Sequence, residues 1–119
     1  MHFFKDLEVW KISMDLIVNI YDVTNTFPAK EQFGLTSQIN RCAVSISANI
    51  AEGCGRSTVN DFNHFLDISL GSSFELETLL IAAQRIKYIK EEKTTTIMQS
   101  IHSIQKMLYA LRKSNNLRK

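Results

Sequence analysis

The chain has 119 residues, of which 45% are hydrophobic and 22% are charged, and it contains four glycines and one proline. This composition is typical of one folded domain, long enough to bury roughly two-thirds of its unfolded surface, and it excludes a disordered protein. No apolar run approaches the ~20 residues of a membrane span, and Asp6 follows the start too closely for a signal peptide, so we expect a cytoplasmic protein without membrane contact.

The first helix is predicted from about residue 7 to residue 26. One apolar series recurs at spacings of three and four residues, and a second runs beside it: Leu7, Trp10, Met14, Ile17 and Tyr21, then Val9, Ile12, Leu16, Ile20 and Val23. A helix that is apolar around most of its circumference is buried on more than one side. This pattern therefore suggests a subunit contact in addition to an intrachain core. Phe27-Pro28 ends the helix.

The second helix is predicted over about residues 34–53. Its large apolar residues lie on one side, and small residues occupy much of the rest: Ala43, Ser45, Ser47, Ala48 and Ala51. Small residues allow another backbone to approach closely, so this helix is expected inside a bundle. Gly53-Cys54-Gly55 follows, where glycine can adopt the left-handed conformation that ends helices.

Polar residues on and after this helix need partners if they are buried. Arg41, Asn49 and Glu52 would be costly to bury unless they are paired or hydrogen-bonded. We interpret Arg41, Asn49, Glu52 and Arg56 as structural polar residues, with Glu52 paired to Arg56 or bonded to a neighbouring helix. The alternative is that they line a subunit interface or a binding surface.

Two further helices are predicted over about residues 58–88 and 91–113. Thr58 and Asp61 have the spacing of a capping box, and small residues in the middle of the third helix could nest against the second. The fourth helix has a regular apolar seam of Ile97, Ile101, Ile104, Leu108 and Leu111. Four helices with short connections predict one all-α domain over residues 1–119, an antiparallel up-down four-helix bundle.

The net charge of +2 is concentrated at the end of the chain. Residues 1–90 carry eight basic and ten acidic side chains, a balance of −2, whereas residues 91–119 carry six basic and two acidic ones, a balance of +4. Cations near a helix C-terminus are favourable in themselves, and contact with nucleic acid is the other explanation. The candidate phosphate contacts are Lys106, Arg112, Lys113, Arg118 and Lys119, followed by Arg41 and Arg56.

No motif predicts catalysis, a metal site or a cofactor. The three histidines, His2, His64 and His102, do not share ligand spacing with one another or with a cysteine. Cys42 and Cys54 lie roughly 18 Å apart along a continuous helix, which is too far for a disulfide. A nucleophile-elbow serine and a complete phosphate loop are both missing. We therefore expect a protein that is not an enzyme.

Several blocks of sequence resemble the bacterial 23S rRNA intervening-sequence proteins, a family of small four-helix bundles. The resemblance covers nearly the whole chain and is carried by Phe4-x-x-Leu7-x-Val9-Trp10, Phe33-Gly34-Leu35-Thr36-Ser37-Gln38-Ile39-x-Arg41, Ser45-Ile46-x-x-Asn49-Ile50-Ala51-Glu52-Gly53-x-Gly55-Arg56, Phe65-Leu66, Gly71-Ser72, Glu75-Leu76-Glu77 and Met107-Leu108. It implies a ring-like homopentamer. The family is also similar to the accessory variability determinant of diversity-generating retroelements, which implies RNA, DNA or a reverse transcriptase as partners.

Two functional hypotheses follow. The first is a non-enzymatic homo-oligomer that binds RNA or other nucleic acid through its basic surface, since a pentamer would carry a charge of about +10 and present its terminal cations five times. Aromatic residues at mostly core spacings are an argument against it. The second is a protein-interaction scaffold for the product of a neighbouring gene, without nucleic-acid binding. The sequence identifies neither the cognate nucleic acid nor the protein partner.

Overall fold

The computed structural model describes residues 2–117, and these form four α-helices and no β-strand. The helices are α1 (Glu8–Thr24), α2 (Leu35–Cys54), α3 (Val59–Arg85) and α4 (Glu91–Leu117). Single turns of 3₁₀-helix at Phe4–Asp6 and Ala29–Glu31 precede α1 and α2. The all-α prediction is confirmed.

The helices surround one hydrophobic core. Each helix contacts its neighbours in the sequence, and α4 returns to α1, so the helix contacts form a closed cycle. The most completely buried large side chains come from all four helices: Leu16, Ile20, Ile39, Ile46, Ile50, Leu66, Leu76, Leu80, Ile101, Ile104 and Leu108. On α1 the second predicted series faces this core, whereas Met14 and Tyr21 of the first series remain about 40% exposed (39% and 42%).

The third helix ends earlier than predicted because Lys87 adopts the left-handed conformation, with φ of 73°. The amide of Lys87 donates to the carbonyl of Gln84, and the amide of Tyr88 donates to that of Ala83, both at 2.9 Å. This pair of bonds is a Schellman motif, which usually places glycine at the left-handed position. Since lysine stands there instead, the sequence lacks the usual signal for the end of this helix.

The fourth helix extends to Leu117, four residues beyond its predicted end. Its last turns are held by side-chain amides: Asn115 donates to Asn63 of α3 at 3.0 Å, and Asn63 donates to Asn116 at 2.9 Å. Asn63 and Asn115 are both buried. These contacts join distant parts of the sequence, so the local pattern near residue 113 did not predict them.

The most extensive helix contact is that of α2 with α3, and small residues make it possible. The hydroxyls of Ser45 and Ser72 lie 2.8 Å apart, and buried Ser69 donates to the carbonyl of Ile46 at 2.8 Å. The predicted nesting of the two small-residue surfaces is confirmed. The Ser69 hydroxyl thus adds a hydrogen bond to a backbone carbonyl of α2 inside the core. This bond fixes the position of α3 along α2.

Gly53 has a different role from the predicted one. No glycine within residues 2–117 adopts the left-handed conformation, and α2 ends at Cys54 with Gly55 in ordinary helical geometry (φ −85°, ψ −2°). The prediction of a left-handed glycine stop is therefore wrong. Gly53 is needed because a Cβ atom there would lie 2.9 Å from Cδ1 of Phe62 and 3.0 Å from Cβ of Phe65.

The start of α2 is capped by a side chain from the preceding turn. Glu31 accepts a hydrogen bond from the amide of Leu35 at 3.2 Å and another from the Tyr88 hydroxyl at 2.8 Å. Gly34, the residue before α2, has no side chain to perform this capping. Both hydrogen bonds lower the pKa of Glu31, and the bond from Tyr88 has the larger effect. The hydrogen bond to the Glu31 carboxylate in turn raises the pKa of Tyr88. Glu31 thus connects α2 to the α3–α4 turn.

Gly53→Ala should lower the free energy of unfolding by about 1–3 kcal/mol, because the added methyl group overpacks the contact between α2 and the two phenylalanines. Gly55→Ala is the matched control, since its Cβ would lie 3.5 Å from the carbonyl oxygen of Glu52, an ordinary van der Waals distance. Urea denaturation measures both variants. Equal destabilisation of the two variants would contradict this role of Gly53.

Glu31→Gln should be less stable than the parent protein at about pH 7, and the difference should shrink as the pH falls below about 4 and the carboxylate becomes protonated in the folded state. The sign follows from the lowered pKa: the carboxylate stabilises the fold above its unfolded-state pKa, and this contribution is lost as pH falls through the folded-state pKa. Thermal melts across pH test this. Tyr88→Phe removes one of the two hydrogen bonds and should reproduce part of the effect; a difference independent of pH would argue against the capping role.

Candidate functional site

Two of the predicted phosphate contacts lie together on α4. Lys106 and Lys113 are both exposed and seven residues apart, so they project from the same side of the helix. The helix has no acidic residue after Glu92. Within residues 2–117 neither lysine makes an ion pair or a side-chain hydrogen bond, so both charges face solvent.

Arg112 differs from its neighbouring lysines because its charge is balanced within the chain. Its Nε atom lies 2.9 Å from Oδ1 of Asp67, and its Nη2 atom donates to Oδ2 at 3.3 Å. Both side chains are about half exposed, so the ion pair contributes little to stability. The Asp67 carboxylate nevertheless competes with a phosphate for the Arg112 guanidinium. Arg118 and Lys119 lie outside the described residues.

The predicted polar set on α2 does not form a buried core. Arg56 and Glu52 make the expected ion pair at 3.0 Å, but both are exposed, and the Arg56 guanidinium also lies 4.6 Å from the centroid of the Phe65 ring. Arg41 is exposed. Only Asn49 is partly buried, and it donates to the carbonyl and hydroxyl of Ser45 on its own helix, at 2.8 and 3.0 Å. Arg41, Asn49 and Glu52 lie on α2, which within residues 2–117 does not contact the helix that carries the two lysines.

A groove of about 410 Å³ lies between α2 and α3, lined by Gln38, Arg41, Cys42, Ser45, Ser72 and Glu75. Burial, followed by the neighbouring Glu75 carboxylate, raises the pKa of Cys42 to about 12. Burial also raises the pKa of Cys54. Since the thiolate is the reactive form, both thiols are protonated at neutral pH and are unsuited to nucleophilic attack.

A polar seam joins α3 to α4, and the sequence analysis missed it. Buried Gln105 donates to Ser73 at 3.1 Å and to Glu77, and Glu77 also lies 3.4 Å from His102. Gln105 occupies the position between Ile101 and Leu108 at spacings of four and three. That spacing could have predicted the polar seam, because a polar residue within an apolar seam usually has a hydrogen-bond partner on the facing helix. The seam orients α4.

One side of α1 is apolar and exposed. Met14, Val18 and Tyr21 recur at spacings of four and three residues and are 39%, 62% and 42% exposed. We name these three residues the α1 stripe. Exposed apolar residues at consecutive helical turns mark a surface suited to contact with another protein.

Across residues 2–117, no three His, Cys, Asp or Glu side chains converge where they could hold a metal ion. None of the helices in this range has the length and apolar character required to cross a membrane.

Comparison with known protein families identifies the family of this chain. The family model of the 23S rRNA-intervening sequence proteins matches residues 5–110. The chain belongs to this family. The match includes Lys106 together with Arg41, Asn49, Glu52 and Arg56, and it ends before Arg112 and Lys113.

A solved structure supports the same assignment. This 23S rRNA-intervening sequence protein is similar to a protein of unknown function from the S23 ribosomal protein family of Bacteroides thetaiotaomicron VPI-5482. The two share 29% sequence identity and a TM-score of 0.82, and the alignment covers 88% of this chain and 98% of the other. No curated protein matches the chain. The comparisons thus provide the family and the fold.

Proposed function

We propose that the protein is a non-enzymatic, homo-oligomeric bundle that binds RNA or other nucleic acid through the basic side of α4. The observation that carries this proposal is the pair Lys106 and Lys113, exposed on one side of a helix that has no acidic residue after Glu92. Lysines without an ion-pair partner among residues 2–117 can neutralise phosphates and release their counterions, which is the main source of sequence-independent affinity for nucleic acids.

Assembly would make this small patch effective. Two lysines on one chain supply only weak binding, whereas a ring of several copies presents the pair repeatedly to one nucleic acid and gains avidity without new contacts. The α1 stripe supports assembly because contact between copies would remove Met14, Val18 and Tyr21 from water. The resemblance to pentameric proteins favours a ring of five.

The proposed subunit is an antiparallel up-down bundle. Gly53, near the end of α2, packs against Phe62, near the start of α3. In the same way Asn63, near the start of α3, bonds to Asn116, near the end of α4. Contacts between the end of one helix and the beginning of another support opposite directions for successive helices, as short connections require.

The competing function is a scaffold that holds a protein partner, such as a reverse transcriptase, without binding nucleic acid. The α1 stripe also favours this function, because an exposed apolar surface fits a protein better than it fits a phosphate backbone. The two functions differ in how the binding affinity depends on salt, because contact with phosphates is mainly electrostatic whereas contact with an apolar surface is not.

Lys106→Gln/Lys113→Gln should weaken binding to a fluorescent structured RNA and lower the slope of log K against log salt by about 0.7–0.9 for each phosphate that is no longer neutralised. The titration covers about 50–200 mM salt. Lys11→Gln/Lys30→Gln is the control, because it removes the same charge from exposed positions outside α4. Absence of binding by the parent protein at the lowest salt would favour the scaffold, and equal effects of the two double variants would place the contact elsewhere.

Val18→Lys should reduce the mass of the assembly in sedimentation equilibrium, because a charge in the centre of the α1 stripe opposes its burial between copies. Val44→Lys is the matched control: it places the same charge at a valine of α2 that is 41% exposed. Both substitutions are at exposed positions, so thermal stability should be retained. A monomeric parent protein would contradict the proposed assembly, and an unchanged mass for Val18→Lys would remove α1 from the interface.

A further inference from the structure

An exposed aromatic ring lies between the two lysines of α4. Tyr109 is 54% exposed and follows Lys106 by three residues and precedes Lys113 by four, so all three project from one side of the helix. With a rise of ~1.5 Å per residue, the lysines are separated by about 10 Å along the axis and the ring lies between them. This ring is outside the hydrophobic core, so it is an exception among aromatic residues that lie mostly at core spacings.

The tyrosine has no structural partner that explains its position. Its hydroxyl makes no hydrogen bond within residues 2–117, and its ring makes no aromatic contact there. By contrast, Tyr88 bonds to Glu31 and packs near Phe27. Tyr109 therefore presents a half-exposed ring, without a hydrogen-bond or aromatic partner among residues 2–117, between the two lysines.

Within residues 2–117, neither Lys106 nor Lys113 forms an ion pair with the neighbouring face of α3. The two acidic residues of α3 that contact α4 are engaged: Asp67 with Arg112, and Glu77 with Gln105 and His102. A second half-exposed aromatic, Phe74, follows Ser73, which accepts a hydrogen bond from Gln105. An exposed aromatic ring is thus present on α3 as well as on α4.

We infer that Tyr109, Lys106 and Lys113 form a site for single-stranded nucleic acid, with one unpaired base stacked on the tyrosine and the flanking phosphates contacted by the lysines. This inference rests on the proposed function and specifies its substrate class. Single strands are bound by aromatic platforms combined with cations along the backbone. In a duplex the base faces are already stacked on one another, so the Tyr109 ring would have no base to receive.

The test compares a fluorescein-labelled oligouridine of about 20 nucleotides with a duplex of equal length, by anisotropy at low salt. The parent protein should prefer the single strand. Tyr109→Ala should weaken single-strand binding about tenfold and duplex binding less than twofold, while Tyr109→Phe, which retains the ring, should bind as the parent does. Phe33→Ala, at an aromatic residue that is 90% exposed in the α1–α2 connection, is the matched control and should have no effect.

The outcomes separate this inference from the proposed function. If the parent protein binds neither nucleic acid, the proposed function fails, and this inference fails with it. If the parent binds but Tyr109→Ala matches it, or the duplex is preferred, the stacking site is overturned while the basic-surface function stands. If Tyr109→Ala lowers the mass of the assembly without changing single-strand affinity, the face is a contact between copies and the inference is overturned.

Discussion

The close packing of α2 on α3 is the constraint on which the other parts of the structure depend. It requires a missing side chain at Gly53 beneath Phe62 and Phe65, and it is set in register by the bond from Ser69 to the carbonyl of Ile46. Both contacts are intolerant of extra volume, because protein interiors are already packed at the density of organic crystals. Because α2 covers one side of α3, α4 packs against a different side of that helix.

The orientation of α4 follows from polar rather than apolar contacts. Apolar seams tolerate small rotations of a helix, whereas Gln105 and Asn115 must each reach a specific partner, since an unsatisfied buried amide is costly. Because Gln105 and Asn115 face the interior, the opposite side of α4 faces solvent. Lys106 and Lys113 are exposed for this reason, and the surface that we associate with nucleic acid is therefore a consequence of the buried seam.

The distribution of charge explains why the proposed binding would depend on the proposed assembly. A single chain has a net charge of +2, and Arg112 and Arg56 are already engaged in intrachain ion pairs. Few cations of α4 remain without an ion-pair partner among residues 2–117, so the proposed affinity would depend on repeating them. The α1 stripe would supply an apolar surface for that repetition. It lies on a different helix from the lysines, so the proposed assembly and the proposed binding would use separate faces.

Much of the fold could be predicted from the sequence because its signals are local. Apolar spacings of three and four residues determined the four helices, Phe27-Pro28 ended the first, and Thr58 with Asp61 marked the start of α3, where the Thr58 side chain does accept the Asp61 amide. The end of α3 was misplaced because lysine occupies a position where glycine is the usual marker. The end of α4 was misplaced because amides from another helix hold its last turns.

The residues of the candidate site show the same division. The sequence determined that positive charge collects in the last quarter of the chain, since charge is a property of residue type alone. Only the tertiary structure decided which charges are free: Asp67 neutralises Arg112 from 45 residues away, whereas Lys106 and Lys113 have no such partner in the described chain. The exposure of Tyr109, which lies beside the apolar seam of α4, was likewise decided by the packing of α3 against α4, because exposure depends on contacts between distant segments.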